Sequence, residues 1–302
     1  MVRVLGDLTE ADHTLNLGSE TITASIQKLK SRIGSVVQDA KKVIRERDIS
    51  VYCNIWSEIF NEKCSKNIGL KEFGVPVTDW SAGRLETVHW IKDCVYIDIP
   101  MAINDPSTID IYWRDLIDAL RKKNGMASKT IDQLEIINGI ISGEAYFSQE
   151  VLDEGFKFKR SDGKIFDLQE CATGIKSFGI IQVLLKNGIL DKDALLIVDE
   201  PEAHLHPQWI VEYARLIVLL NKYVGIKFLI ASHNPDMVSA LKYIAEKEGI
   251  DNKLNFYLAG KIEGGFVYDY KNLGTDIDEI FASFNIAIER ISQYGVIENE
   301  IL

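Results

Sequence analysis

The segment Leu195-Leu196-Ile197-Val198-Asp199-Glu200-Pro201-Glu202-Ala203-His204-Leu205-His206-Pro207 constrains this chain more than any other. An apolar, partly β-branched run stops abruptly at two adjacent carboxylates. That pattern predicts a fully buried strand that delivers acids to one edge of a parallel sheet. Ligands of open α/β sheets bind outside the carboxyl ends of the strands, where Asp199 and Glu200 would emerge. The plainer alternative is a strand that ends in a helix-capping acid, and the downstream sequence bears on the choice.

After Pro207 the apolar period becomes helical, with Trp209, Ile210, Tyr213, Ala214, Leu216, Ile217 and Leu220 on one face. A second apolar run, Lys227-Phe228-Leu229-Ile230-Ala231, then ends in Ser232-His233-Asn234-Pro235. Strand, helix and strand make a right-handed βαβ unit by expectation, which places His233 beside Asp199 and Glu200. A lone histidine at a strand end is usually structural. One on the strand next to an acid pair is a candidate for function.

Upstream, Cys171-Ala172-Thr173-Gly174-Ile175-Lys176-Ser177-Phe178-Gly179 predicts a helix start near Ile175, with Phe178, Ile181, Leu184 and Leu185 on its apolar face. A Thr-Gly step there offers unpaired backbone N–H groups, a hydroxyl and the positive end of the helix dipole. Lys176 adds a cation in the first turn, which is locally unfavourable unless an anion lies close. The bland alternative is an ordinary N-cap with a solvated lysine.

These three motifs, spread over residues 163–241, resemble those of ABC-type P-loop ATPase heads of the SMC/RecF/OLD-like class. The run 195–207 is similar to the Walker B strand and D-loop in their "DEPE…LHP" form. Ser232-His233-Asn234-Pro235 resembles the switch-histidine motif, and Thr173-Gly174-Ile175-Lys176 a variant of the signature. Motif order and spacing also match. The resemblance implies that Asp199 holds Mg²⁺, Glu200 acts as general base and His233 senses the γ-phosphate of ATP. It further implies that Thr173, Gly174 and Lys176 complete the nucleotide site of a second protomer, and that His204 and His206 of the D-loop face that dimer interface.

One part of such a site is missing. No G-x-x-x-x-G-K-[ST] pattern, the Walker A loop, occurs in the sequence. The nearest echo, Leu17-Gly18-Ser19-Glu20-Thr21-Ile22, lacks the phosphate-binding lysine, and Glu20 would repel a triphosphate. The N-terminal part of the fold is therefore expected to be missing. A truncated chain, a phosphate loop from a second polypeptide and a degenerate ATPase all remain open.

The 302 residues, 46% of them hydrophobic, suffice for one large core with an appended lobe. Cys53, Cys64, Cys94 and Cys171 are scattered and read as reduced thiols of a cytoplasmic protein. No stretch reads as a signal peptide or membrane span. A net charge of −11 argues against a broad nucleic-acid surface, leaving DNA contact to a local basic stripe.

The rest of the chain divides in two. Residues 1–92 are expected to form a helical segment, from about residue 21 to 46, and an irregular lid over 64–90 that contains Trp80 and Trp90. Lys41, Lys42, Arg45 and Arg47 read as the helix's solvated face. Residues 93–302 are expected to hold the ATPase core, a mixed or parallel sheet flanked by helices, with a helical insertion. The expected elements include a strand at 94–99, helices near 110–123 and 131–141, and strands near 145–147, 156–159 and 164–168. Alternation in Phe156-Lys157-Phe158-Lys159 predicts a half-buried antiparallel strand, with Ser161-Asp162-Gly163 turning into the next. A hairpin of 254–258 with 265–268 and a final helix complete the pattern. Asp98, near the end of the first strand, is expected to be structural.

The expected function is ATP binding and Mg²⁺-dependent hydrolysis by a nucleotide-dependent homodimer, in a DNA-related or phage-defence process with an effector protein. One alternative is a non-catalytic scaffold that dimerises or holds an effector. A metal-nuclease centre of Asp199, Glu200, Glu202, His204 and His206 is the remote third.

Overall fold

The computed structural model describes residues 91–98, 100–104, 111–122, 131–150, 153–262 and 268–295, with short pieces between residues 47 and 85. The chain divides into two compact units, Met1–Trp90 and Ile91–Leu302.

In the first unit the described pieces are two-residue strands. Lys71–Glu72 pairs antiparallel with Val75–Pro76, while Arg84–Leu85 pairs antiparallel with both Arg47–Asp48 and Thr78–Asp79. Gly74 and Gly83, at φ of 82° and 65°, occupy the left-handed backbone region that these tight turns require. Part of the expected irregular lid is thus built of short antiparallel strands. The helix expected at 21–46, Gly18, Trp80 and Trp90 lie outside the described residues.

The second unit is α/β. It opens with β1 (Asp93–Ile97), a 3₁₀ turn (Pro100–Asn104), α1 (Ile111–Arg121) and α2 (Ile131–Ile141). An antiparallel meander follows, β2 (Gly143–Ser148), β3 (Gly155–Arg160) and β4 (Ile165–Asp167). Gly163, at φ 87°, makes the turn between β3 and β4. Alternation in β3 predicts an exposed Lys157, but this lysine is buried. Its ammonium lies between the carboxylates of Asp153 and Asp167, the latter at 2.8 Å. Paired charges make that burial tolerable, and they hold its proton more firmly than in a free lysine.

Next come α3 (Thr173–Lys186), β5 (Ala194–Asp199), α4 (Pro207–Leu219), β6 (Lys227–Ala231) and α5 (Pro235–Glu248). The unit ends with the hairpin β7 (Phe256–Lys261) and β8 (Tyr268–Gly274) and with α6 (Asp278–Gly295). Both hairpin strands run further along the chain than the sequence suggests. Helix α3 is not the one-faced helix its period suggests either. It is buried on nearly every side from Gly174 to Leu185, as befits a helix at the centre of the core. Its Phe178 packs edge-on against Trp209 and Tyr213 of α4, with ring centroids 5.7 and 5.2 Å apart.

Strands β6, β5 and β1 form a parallel sheet in that order, with Leu196 opposite Phe228 on one side and Val95 on the other. The βαβ reading of residues 194–231 therefore holds. Full burial of β5 does not. Ala194, Leu196 and Val198 are buried, whereas Leu195, Ile197 and Asp199 on the other face are half-buried. The same face stays open on β6, where Leu229 is 59% exposed. Among the described residues no strand pairs with the outer edge of β6. Leaving Leu229 so exposed forfeits about 1–2 kcal/mol of hydrophobic transfer energy. Among the described residues, no helix is long and apolar enough to cross a membrane.

Candidate functional site

The parallel register brings the ends of three strands to one edge. Asp199 is aligned with Ala231, and Val198 with Ile97, so Asp98, Asp199 and the residues after Ala231 emerge together. Asp98 is taken up structurally, because both its oxygens accept from Trp113 Nε1 at 3.0–3.1 Å and so tie α1 to the sheet.

Beyond Asp199 the chain turns sharply. The Glu200 N–H donates to the Ala231 carbonyl at 2.8 Å, which extends the ladder by one bond. Glu200 itself sits at φ 45°, a left-handed conformation uncommon for a residue with a side chain. Such strain costs of the order of 1 kcal/mol and concentrates where function requires a particular geometry. Here the turn aims the half-exposed Glu200 carboxylate at His233, with Oε1 3.2 Å from Nδ1. The imidazole is mostly solvent-exposed, at 73% of the side chain. An acid and a base thus meet at the open end of the sheet. Half-buried Asp199 supplies a second carboxylate there.

These are hard oxygen donors at an accessible edge, the chemistry that suits Mg²⁺. They do not make a closed metal cage. Among the described residues, no group of three or more His, Cys, Asp or Glu side chains is placed to hold an ion. This overturns the nuclease-type cluster. Glu202 turns inward, 7% exposed, while His204 and His206 are exposed. His206 is the N-cap of α4, its Nδ1 accepting from Gln208 N at 3.3 Å with Pro207 in the first turn. His204 has φ 62°, so the segment between β5 and α4 carries a second left-handed residue.

The start of α3 differs from expectation in three respects. The helix begins at Thr173, with Ala172 as a cap that offers no side-chain hydrogen bond. Hence the first-turn N–H groups of Thr173, Gly174 and Ile175 are not consumed by a side-chain cap. Gly174 is buried rather than open to an approaching phosphate: a Cβ there would come within 2.4 Å of the Trp209 ring. Lys176 is neither solvated nor turned outward. It is 4% exposed, and its Nζ donates to Asn104 Oδ1 at 3.1 Å, with Met101 Sδ at 3.6 Å. Burial disfavours its charged form and lowers its pKa. Of these three, Thr173 is the residue left half-buried.

Two residues whose roles the sequence did not reveal complete the site. Glu202, weighed there only as a metal ligand, accepts from Ser232 Oγ at 2.7 Å and from His233 N at 3.2 Å. Trp209, read as one member of an apolar stripe, covers Gly174. A conspicuous glycine in a helix is the signal that could have pointed to such a close neighbour.

The fold is α/β, a parallel sheet flanked by helices, and its sequence family is that of an AAA domain. Residues 85–239 match the family described as "AAA domain, putative AbiEii toxin, Type IV TA system", and the chain belongs to that family. The match spans β1, the start of α3, the acid pair and His233. Among curated proteins the chain is similar to Septu protein PtuA of Bacillus mycoides (strain KBAB4), with 24% identity over 188 residues. That match covers 56% of this chain and 24% of the relative. Septu protein PtuA of Bacillus thuringiensis is 35% identical over 112 residues, 36% of this chain and 25% of that protein. The matches thus span about a quarter of these relatives' length. Solved structures with some similarity include the Smc head domain of Pyrococcus furiosus bound to the C-terminal domain of ScpA. That likeness has a TM-score of 0.35 and 16% identity, over 55% of this chain and 38% of that one. The SMC head domain of Thermotoga maritima has a TM-score of 0.35 and 12% identity, over 53% and 51%.

Proposed function

We propose that this chain carries the hydrolytic edge of an ABC-type ATPase head, which binds Mg²⁺-ATP and hydrolyses it in a site shared by two heads. The process would be DNA-related or a phage defence, with an effector protein as partner. The observation that carries this reading is Glu200, held in a left-handed turn with its carboxylate 3.2 Å from His233, next to Asp199.

In this reading Asp199 would hold Mg²⁺, which when bound would neutralise charge on the triphosphate. Glu200 accepts the proton of the attacking water. His233, exposed and in hydrogen-bond reach of Glu200, orients that carboxylate and meets the γ-phosphate. A phosphate-cradling loop has a natural place on a further parallel strand along the outer edge of β6. Among the described residues no strand pairs with that edge, and such a strand would end beside His233. Thr173 and the first-turn N–H groups of α3 supply what a second head's nucleotide would meet.

The test is Glu200→Gln in the intact protein, which keeps the shape and removes the base. Turnover is expected to fall about 100-fold or more while Mg²⁺-ATP binding persists. Wild-type turnover would demote Glu200 to a structural role. The second reading, a non-catalytic scaffold, draws on the inward burial of Gly174 and Lys176. It forecasts no heat of Mg²⁺-ATP binding in calorimetry and an oligomeric state indifferent to nucleotide.

A further inference from the structure

The imidazole of His233 stands in solvent, so packing does not decide where it points. Its place opposite Glu200 depends on how the backbone of residues 232–234 is held. Three hydrogen bonds hold it. Glu202 Oε1 accepts from the His233 N–H and from the Ser232 hydroxyl. Ser232 Oγ in turn accepts from Asn234 N at 3.2 Å. Asn234 then caps α5, accepting from Asp236 N at 2.8 Å and Met237 N at 3.1 Å.

The other end of this chain of bonds lies in the turn that carries Glu200. Ala203 N donates to the Glu200 carbonyl at 2.8 Å, and Leu205 N to the Glu202 carbonyl at 3.0 Å. One rigid turn therefore sends Glu200 to the imidazole and Glu202 to the backbone beneath it. Holding a carboxylate there is costly, because Glu202 is 7% exposed and its Oε2 has no hydrogen-bond partner among the described residues. An apolar side chain would avoid that cost but could not tie the two loops together.

We infer that Glu202 is a positioning residue: it fixes the distance between Glu200 and His233 by holding the His233 backbone and the Ser232 hydroxyl from the Glu200 turn. Its buried carboxylate acts through the His233 backbone and the Ser232 hydroxyl. This inference rests on the ATPase reading for its effect on turnover, but its geometric content is independent of that reading.

The experiment therefore has two readouts on the intact protein. Without nucleotide, hydrogen exchange at the His233 amide is expected to quicken about tenfold or more in Glu202→Ala, while amides within α5 keep their protection. Glu202→Gln, whose carbonyl oxygen accepts the same two bonds, should exchange like wild type. In steady-state kinetics Glu202→Ala should lower kcat about tenfold with KM for ATP little changed, and Glu202→Gln should restore most of it. Should Glu202→Ala fail to fold, Glu202→Met, which fills the space without an acceptor, is read instead and should quicken exchange at the same His233 amide. Unchanged exchange at that amide overturns the inference. If Glu200→Gln and His233→Ala both turn over ATP normally, Glu200 is not the base; if the wild-type protein itself turns over no ATP, the ATPase reading fails. In either case the exchange result still decides the role of Glu202.

Discussion

The edge formed by β5 and β6 and the first turn of α3 carry the two halves of one expected site, and the structure treats them in opposite ways. At the sheet edge the groups stand open: Glu200 is half exposed, His233 more so, and the backbone beneath them is strained at φ 45°. At α3 the groups are packed inward, Gly174 under an indole and Lys176 against the 3₁₀ turn after β1. Open, strained geometry is where the proposed chemistry would sit. Buried geometry has a packing rationale of its own, so function there needs separate proof. Substitutions at the two places should accordingly fail in different currencies, turnover at one and stability at the other.

The largest contrast should come from Glu200→Gln. With Glu200 as the proposed base, turnover should fall about 100-fold, while exchanging a half-exposed carboxylate for its amide on the same backbone should shift the melting temperature little. Paired measurement of turnover and thermal unfolding checks this, and a large loss of stability would break the contrast from the sheet-edge side.

Gly174→Ala should show the reverse. Its new methyl would sit 2.4 Å from the Trp209 ring, which is locked by its contact with Phe178, so α4 must shift or the ring must turn. Overpacking of that kind costs about 1–3 kcal/mol. Denaturant unfolding should show the loss, and Gly174→Ala combined with Trp209→Ala should lose less than the sum of the two. An additive pair would mean that the glycine serves something other than the indole. A carboxylate at this position, Gly174→Asp, would unfold the helix start before it could report on a neighbouring phosphate.

What the sequence revealed follows the same division. Asp199, Glu200 and His233 were legible because strand ends are local patterns, and parallel register then brings neighbouring ends together without further information. Lys176 and Gly174 were not, because their surroundings are set by residues far along the chain, Asn104 and Trp209. Periodicity reads α3 as one-faced; only the three-dimensional arrangement covers its remaining sides. Lys157 was missed for a similar reason, since its burial depends on Asp153 and Asp167 arriving from either side. Glu202 was noticed for its chemistry, but its partner sits on the other strand's exit, so its role could not be read from its neighbours in sequence.

The smallest expected effect concerns Lys176 and would sharpen the contrast most. Its ammonium is buried against an amide oxygen and a thioether, and among the described residues no carboxylate forms an ion pair with it. Burial holds its folded-state pKa below the ordinary lysine value of about 10.4. The unfolded chain keeps that proton to higher pH than the folded one does. Between the two values the unfolded state therefore binds more protons, and stability rises with pH. Below the folded value the cost of the buried charge is present in full. Lys176→Met fills similar space without a charge, so it should be more stable than wild type near neutral pH. That advantage should shrink as pH climbs through the folded value toward the ordinary one. Urea unfolding of both proteins at about pH 7 and about pH 10 measures the difference. A methionine variant less stable at neutral pH would show that the bond to Asn104 outweighs the cost of the charge. If the variant gains stability yet loses nucleotide-dependent self-association, the lysine is kept for an anion brought by another molecule. The two regions would then differ in packing while serving the same site.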